Sequence, residues 1–157
     1  KLRCLTGVSS RHGSKNKINI LVFGRFWCYN FHMDKKIITR LIQREASTIW
    51  DSLCEIYPNL INFDCPEVSL NGRLWRVAGL NDQQNNKIEL GFKFFNHSKK
   101  YANNMIDVIL PHEIIHQADF NLYGESEKIC GHGKKWREIM VNYGLEPEPF
   151  HTMDIKR

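Results

Sequence analysis

The chain has 157 residues, of which 42% are hydrophobic, and this is enough for one domain with a substantial core. No run approaches the 18 or more apolar residues of a membrane-spanning helix, so the sequence predicts no membrane association. The five cysteines form no C-x-x-C pair, and an odd count without regular spacing indicates reduced thiols in an intracellular compartment, cytoplasmic or nuclear.

The net charge of +5 divides unevenly along the chain. Residues 1–32 carry a charge of +6 with no acidic residue, whereas the remainder carries −1. The first methionine is Met33, which allows two interpretations of this basic leader: a segment outside the native protein, or a genuine basic arm. We favour the first, and divide the chain into a leader of residues 1–32 and one domain of residues 33–157.

A long amphipathic helix is predicted over residues 35–56. Asp34 suits the N-cap, and Pro58 ends the helix because proline disfavours helix in the residue before it. Apolar residues recur at spacings of three and four, which predicts a buried face that backs a sheet. These residues are Ile38, Leu41, Ile42, Ile49, Trp50, Leu53 and Ile56.

The following stretch has the composition of β-strands. The dipeptide Asn71-Gly72, between Val68–Leu70 and Leu74–Ala78, is typical of a two-residue hairpin. A further strand is predicted over Lys87–Phe92. We therefore expect a small, mostly antiparallel sheet.

Residues 92–101 combine aromatic and basic side chains. Such side chains together can stack on single-stranded DNA and neutralise it. In the alternative, which we favour, the phenylalanines belong to the core and the lysines to a solvated face. The candidate nucleic-acid contacts are Lys93, Lys99, Lys100, Lys134 and Lys135.

The string His112-Glu113-Ile114-Ile115-His116 carries the predicted chemistry. It lies on a helix predicted to start near residue 103 or 104, in which Pro111 removes a backbone donor and predicts a kink. Positions i and i+4 of a helix share one face, so the two histidines can bind one metal ion. Glu113 beside them can accept a proton from water and pass it to a leaving amine.

A catalytic zinc site needs a third protein ligand, and we assign this role to His132. It lies between Gly131 and Gly133, after a helix end predicted at Tyr123-Gly124 and before a second helix over residues 134–143. Three further histidines, His12, His32 and His97, have no partner at ligand spacing. Four acidic residues remain alternative ligands: Asp119, Glu125, Glu127 and Glu138.

Several segments resemble the SprT-like metallopeptidase family, which includes the Spartan-type proteases that act on proteins attached to DNA. They are Leu110–Ala118, Gly131–Trp136, Met140–Pro147 and His151–Asp154, with weaker agreement upstream. The resemblance covers about residues 34–154. It implies a zincin-like single domain of the α+β class, in which a small sheet is backed by the long N-terminal helix, with a metal-binding helix and a C-terminal helix.

The resemblance also implies roles for individual residues. His151 matches the closing motif of the family, as a group that stabilises the transition state or, as we favour, as a second-shell or surface histidine. One zinc ion is expected, because the four-cysteine zinc ribbon of many bacterial members has no counterpart here. An edge strand beside the metal pairs with extended substrate in such proteases, and we assign this part to Lys87–Phe92.

These observations predict a zinc-dependent endopeptidase, with zinc held by His112, His116 and His132 and with Glu113 as general base. The expected partners are a protein substrate and, from the resemblance alone, single-stranded DNA or DNA-bound proteins. The chain is expected to be a monomer. The alternative function is a non-catalytic module in which zinc supports binding to nucleic acid or protein, although such a module has no need of Glu113.

Overall fold

The computed structural model describes residues 34–124, 131–148 and 153. The predicted leader, the acidic alternatives Glu125 and Glu127, and His151 lie outside the described residues. The helices and strands, in chain order, are α1 (Lys35–Ile56), β1 (Glu67–Asn71), β2 (Gly79–Asp82), β3 (Lys87–Gly91), α2 (Phe92–Phe95), α3 (Lys99–Asn104), α4 (Leu110–Tyr123) and α5 (Lys134–Tyr143). Two short 3₁₀ turns, Pro58–Asn62 and Gln83–Asn85, and a π-helical turn, Met105–Ile109, complete them. None of the described helices is long and apolar enough to cross a membrane.

Helix α1 has the predicted bounds, because its capping residues act locally. The Asp34 side chain accepts a hydrogen bond of 2.8 Å from the Lys36 backbone N–H. At the other end the Tyr57 N–H donates to the Leu53 carbonyl at 2.7 Å, and Pro58 begins a separate turn. Most of the predicted apolar face is buried, with Ile38, Ile42 and Leu53 fully enclosed, whereas Ile56 at the end of the helix is exposed.

The three strands form a mixed sheet in the order β1-β3-β2. β1 runs parallel to β3, with Val68 opposite Ile88, and β2 runs antiparallel to β3, with Asn81 opposite Ile88. The α+β class is thus confirmed, while the sheet contains one parallel and one antiparallel pair instead of being mostly antiparallel.

The predicted hairpin across Asn71-Gly72 is wrong, since β1 and β2 lie at opposite margins of this sheet. Asn71 instead holds a wider connection: its Oδ1 accepts from the Arg73 N–H at 2.8 Å, and its Nδ2 donates to Glu89 on β3 at 2.7 Å. Pairing of β1 with β3 places Val68 in line with Ile88 on the buried face. Burial of these apolar side chains therefore outweighs the local turn preference.

The assignment of Lys87–Phe92 as the edge strand is also wrong. This segment forms β3, which lies in the middle of the sheet with a neighbour on each side, so it has no free edge for substrate. Helix α1 packs against β1, and α4 packs against β2. The strand at the margin next to α4, the helix that carries the H-E-x-x-H motif, is therefore β2.

The helical run that leads into the metal motif begins at Lys99, before the predicted start near residue 103 or 104, and consists of α3, a π-helical turn and α4. Ser98 caps α3 by accepting from the Tyr101 N–H at 3.1 Å. A π-helical turn then precedes α4, in which the Leu110 N–H reaches back five residues to the Met105 carbonyl. Pro111 falls at the first turn of α4, where its missing N–H is tolerated, so a widened turn stands where a kink was expected.

Candidate metal centre

Helix α4 and the start of α5 bring three histidines together. His112 and His116 lie one turn apart on α4, which ends at Tyr123 as predicted. The chain re-enters the described part at Gly131, with a φ of 66° that favours glycine, and His132 follows directly. A Cβ atom at Gly131 would also lie 3.3 Å from Cε1 of His116, which is closer than most Cβ contacts.

The Nε2 atoms of the three histidines converge on one point. The separations are 3.1 Å between His112 and His116, 3.2 Å between His116 and His132, and 3.2 Å between His132 and His112. Among the described residues, these three alone form a group that could hold a metal ion. Asp119 is outside this group, and Glu138 instead pairs with Lys135 at 3.4 Å.

Burial favours the neutral form of His116 and His132. It lowers the pKa of His116 to about 3, with smaller contributions from the charges of His112 and His132. The pKa of His132 is also lowered, by burial and then by the Arg137 charge. A neutral imidazole is the form that binds a metal ion, so the histidines are held in the ligand state at neutral pH.

The Gly131 backbone fixes which nitrogen of His116 faces the cluster. A hydrogen bond with this backbone raises the His116 pKa, against the larger effect of burial. Because Nε2 of His116 faces the other two histidines, Nδ1 is the nitrogen that remains for this backbone contact. Nε2 is then left as the lone-pair nitrogen, in the arrangement typical of metal-binding histidines.

Trp136 forms a common wall for the three imidazoles. Its ring centroid lies 4.5 Å from that of His132, 4.9 Å from His112 and 5.2 Å from His116, and the indole is fully buried. Trp136 was not singled out in the sequence as a neighbour of the histidines. Its position three residues after the glycine that follows His132 is the signal that links it to the cluster.

Glu113 lies between α4 and β2. A Cβ atom built on Gly79 would stand 2.5 Å from the Glu113 Oε1 atom, so the carboxyl group occupies the space that the glycine leaves. Burial raises the pKa of Glu113 to about 7. A carboxyl group with a pKa close to neutral pH can both accept and release a proton, which suits a general base.

Polar side chains that were not singled out in the sequence hold the backbone of these residues. Asn81 Nδ2 donates to the Glu113 carbonyl at 2.9 Å, and Gln83 Nε2 donates to the His116 carbonyl at 3.2 Å. Arg137 Nε donates to the His132 carbonyl at 3.2 Å. No periodic pattern or motif marks the first two, which precede their partners by more than 30 residues.

In the basic and aromatic residues 92–101, the arrangement agrees with the favoured interpretation, in which phenylalanines belong to the core and lysines to a solvated face. Phe94 and Phe95 are buried in the core, while Lys93, Lys99 and Lys100 are exposed. Lys134 is exposed at the start of α5, and Lys135 lies 4.9 Å from the centre of the Tyr123 ring. Nucleic-acid contact by these lysines stays a prediction.

A model of the SprT-like family matches residues 49–152 of the chain. The matched region includes the three histidines, Glu113 and the strands described above. No curated protein matches the chain. No solved structure matches it either.

Proposed function

The chain belongs to the SprT-like family, and on that premise we propose that it is a zinc-dependent endopeptidase. The observation that carries the proposal is the convergence of three histidine Nε2 atoms, with a half-buried glutamate of raised pKa directly after His112 in the sequence. A purely structural site would not need such a glutamate.

The histidines fit a zinc ion in both donor type and spacing. Zinc accepts imidazole nitrogen at about 2.0–2.1 Å in tetrahedral geometry, which places two ligand nitrogens about 3.3–3.4 Å apart. The observed separations of 3.1–3.2 Å are close to this value. Three protein ligands leave a fourth position for water, as in catalytic zinc sites, whereas structural sites are usually closed by four.

In the proposed reaction, the residues of the chain place and move a proton. The chemistry that zinc supplies when bound is a water of lowered pKa and a polarised peptide carbonyl. Glu113 accepts a proton from the attacking water and returns it to the leaving amine nitrogen. Burial against Gly79 limits the positions that the carboxyl group can take, which favours a fixed geometry for this transfer.

For the substrate, we assign an extended peptide at the outer edge of β2. The Gly91 N–H donates to the Ala78 carbonyl at 2.8 Å, so residues 78, 80 and 82 face β3 in the antiparallel ladder. The backbone N–H and C=O groups of Gly79 and Asn81 therefore point away from β3, toward the free edge of β2. In the described part of the chain no strand pairs with this edge, and a peptide can add to it by main-chain hydrogen bonds.

The substrate class follows from the family resemblance: we propose proteins bound or crosslinked to DNA. Their DNA would be contacted by local clusters of lysines, because the chain after residue 32 carries a charge of −1. Lys134, which opens α5 two residues after His132, is the candidate nearest to the cluster in sequence.

The test combines metal analysis with hydrolysis of casein, or of the chain itself, with and without single-stranded DNA. The parent chain is expected to contain one zinc ion and to cut. Glu113→Gln is the matched control, since it keeps the size of the side chain but accepts no proton, so it should bind zinc and not cut. A variant that cuts as fast as the parent, or a parent that binds no zinc, would contradict the proposal.

A further inference from the structure

Three side-chain amides join the β2 region to the metal-binding helix. Asn81, on β2, donates to the Glu113 carbonyl at 2.9 Å. Gln83, in the 3₁₀ turn that follows, donates to the His116 carbonyl at 3.2 Å. Gln117 on α4 completes the connection from the other side, because its Nε2 donates to the Gln83 carbonyl at 3.2 Å.

These bonds are additional to the helix itself. A carbonyl inside an α-helix accepts one N–H from four residues ahead and keeps a second lone pair. Asn81 and Gln83 use this second acceptor position on Glu113 and His116, two residues that the proposed function assigns to chemistry. Since the acceptor in each case is a carbonyl, the NH₂ end of each amide must face α4.

The Asn81 and Gln83 hydrogen bonds also lie close to the side chains of Glu113 and His116. Gln117 is 1% exposed, and Asn81 and Gln83 are half-buried, so water does not easily replace these contacts. Asn81 lies two residues after Gly79 on the same face of β2, and this face meets the Glu113 carboxyl group. A loosened Asn81 contact would let α4 move away from β2 at Glu113, while a loosened Gln83 contact would let it move at His116.

We propose that Asn81 and Gln83 are separate positioning residues, Asn81 for the Glu113 carboxyl group and Gln83 for the His116 imidazole. The Asn81 assignment rests on the proposed hydrolytic function, whereas the Gln83 assignment rests only on metal binding. Partners that hold the ligands of a metal site typically change metal affinity or activity by 10- to 100-fold when they are removed. The two residues should therefore affect different measurements.

The experiment uses the full 157-residue chain and zinc as the probe. Zinc affinity is measured by competition with a chromophoric chelator, and hydrolysis is measured as kcat and KM. Gln83→Ala is expected to raise the Kd for zinc about tenfold. Asn81→Ala is expected to keep this Kd within about twofold and to lower kcat about tenfold, with KM little changed.

Two further variants separate positioning from folding. Asn85→Ala removes a side-chain amide from the same turn that donates to Asp82 at 2.8 Å and not to a carbonyl of α4, so neither constant should change. Gln83→Met keeps the side-chain length and loses the donor, so it should raise the Kd for zinc about tenfold as well. It decides the assignment if the alanine variant folds poorly. Thermal midpoints of the metal-free proteins show how much of each effect is loss of stability.

The proposal is overturned for Gln83 if both of its folded variants bind zinc as tightly as the parent. It is overturned for Asn81 if its alanine variant keeps the parent kcat, or if it loses zinc affinity as Gln83→Ala does. A parent chain that binds zinc but cuts no substrate would refute the hydrolytic function and with it the Asn81 assignment. The zinc affinities would still decide the Gln83 assignment.

Discussion

Replacement of Gly79 by alanine should disable Glu113 while leaving the metal site intact. The added Cβ atom would lie 2.5 Å from Oε1, 2.7 Å from Cγ and 2.9 Å from Cδ of Glu113. Ordinary contacts of a Cβ atom lie at 3.4–4 Å, so the nearest part of the carboxyl group must move by about 0.9 Å. Rotation of the carboxyl end alone does not relieve the contact with Cγ, and the whole side chain must shift.

The size of this shift sets the expected loss of activity. A misplacement of about 1 Å in a reacting group can cost on the order of a hundredfold in rate. We therefore expect Gly79→Ala to lower kcat on casein about a hundredfold. Zinc should still bind at one ion per chain, because the three atoms closest to the new Cβ all belong to Glu113 and none to a histidine.

Gly72→Ala is the matched control for this experiment. Gly72 lies in the connection that leads from β1 to Gly79, the first residue of β2, and a Cβ atom there would meet no atom within 4 Å. This variant should cut at the rate of the parent and keep its thermal midpoint. A Gly79→Ala protein that binds zinc and cuts as fast as Gly72→Ala would show that the carboxyl group works from another position.

The remaining predictions concern the metal, the buried carboxyl group and DNA. Zinc at a thousand times its Kd should raise the thermal midpoint of the parent by about 10 °C, and His132→Ala should abolish this rise, as scanning calorimetry with and without a chelator would reveal. In the metal-free chain, the pKa of Glu113 is raised to about 7, so the folded state holds a proton that the unfolded state releases between about pH 4.5 and 7. The free energy of unfolding of the parent should therefore fall relative to that of Glu113→Gln by about 3 kcal/mol as the pH rises through this window. Urea unfolding of both proteins at pH 5 and pH 8 tests this, and the same difference between them at both pH values would contradict it. Residues 33–157 should bind single-stranded DNA weakly, with a shallow salt dependence of roughly two to four phosphates, whereas the full chain should bind more tightly and with a steeper salt dependence; equal slopes in a salt titration would contradict this.

The ends of α1 and α5 could be predicted from the sequence because they depend on neighbouring residues. Asp34 caps α1 as expected. Gly144 ends α5 with a φ of 95°, while the Leu145 N–H bonds the Met140 carbonyl at 2.9 Å. The sheet could not be predicted in the same way, because the pairing of β1 with β3 joins residues about 20 positions apart. A turn signal as strong as Asn71-Gly72 carries no information about such a partner.

The candidate site likewise has a part that local sequence predicts and a part that depends on residues distant in the sequence. The spacing of His112 and His116 follows from helical periodicity alone, and the glycines around His132 indicate a turn that can bring it back. The hydrogen bonds that hold the Glu113 and His116 carbonyls come from β2 and the turn after it. Donor and acceptor are 32 or 33 residues apart in the sequence. Asn81 and Gln83 lie in a short polar stretch, which by composition reads only as a loop.

The strand order explains why β2 can serve the site although it has only four residues. Because β3 takes the centre of the sheet, β2 lies at the margin and meets α4 with one face. On that face Gly79 leaves space for the Glu113 side chain and Asn81 holds the Glu113 carbonyl, while the same two residues turn their backbone groups to the outer edge. A slip of β2 by one residue against β3 would exchange these residues for Leu80 and Asp82, which now face away from α4. A leucine in place of Gly79 would fill the space of the carboxyl group, so the register of this single strand pair decides whether Glu113 has a place beside the histidines.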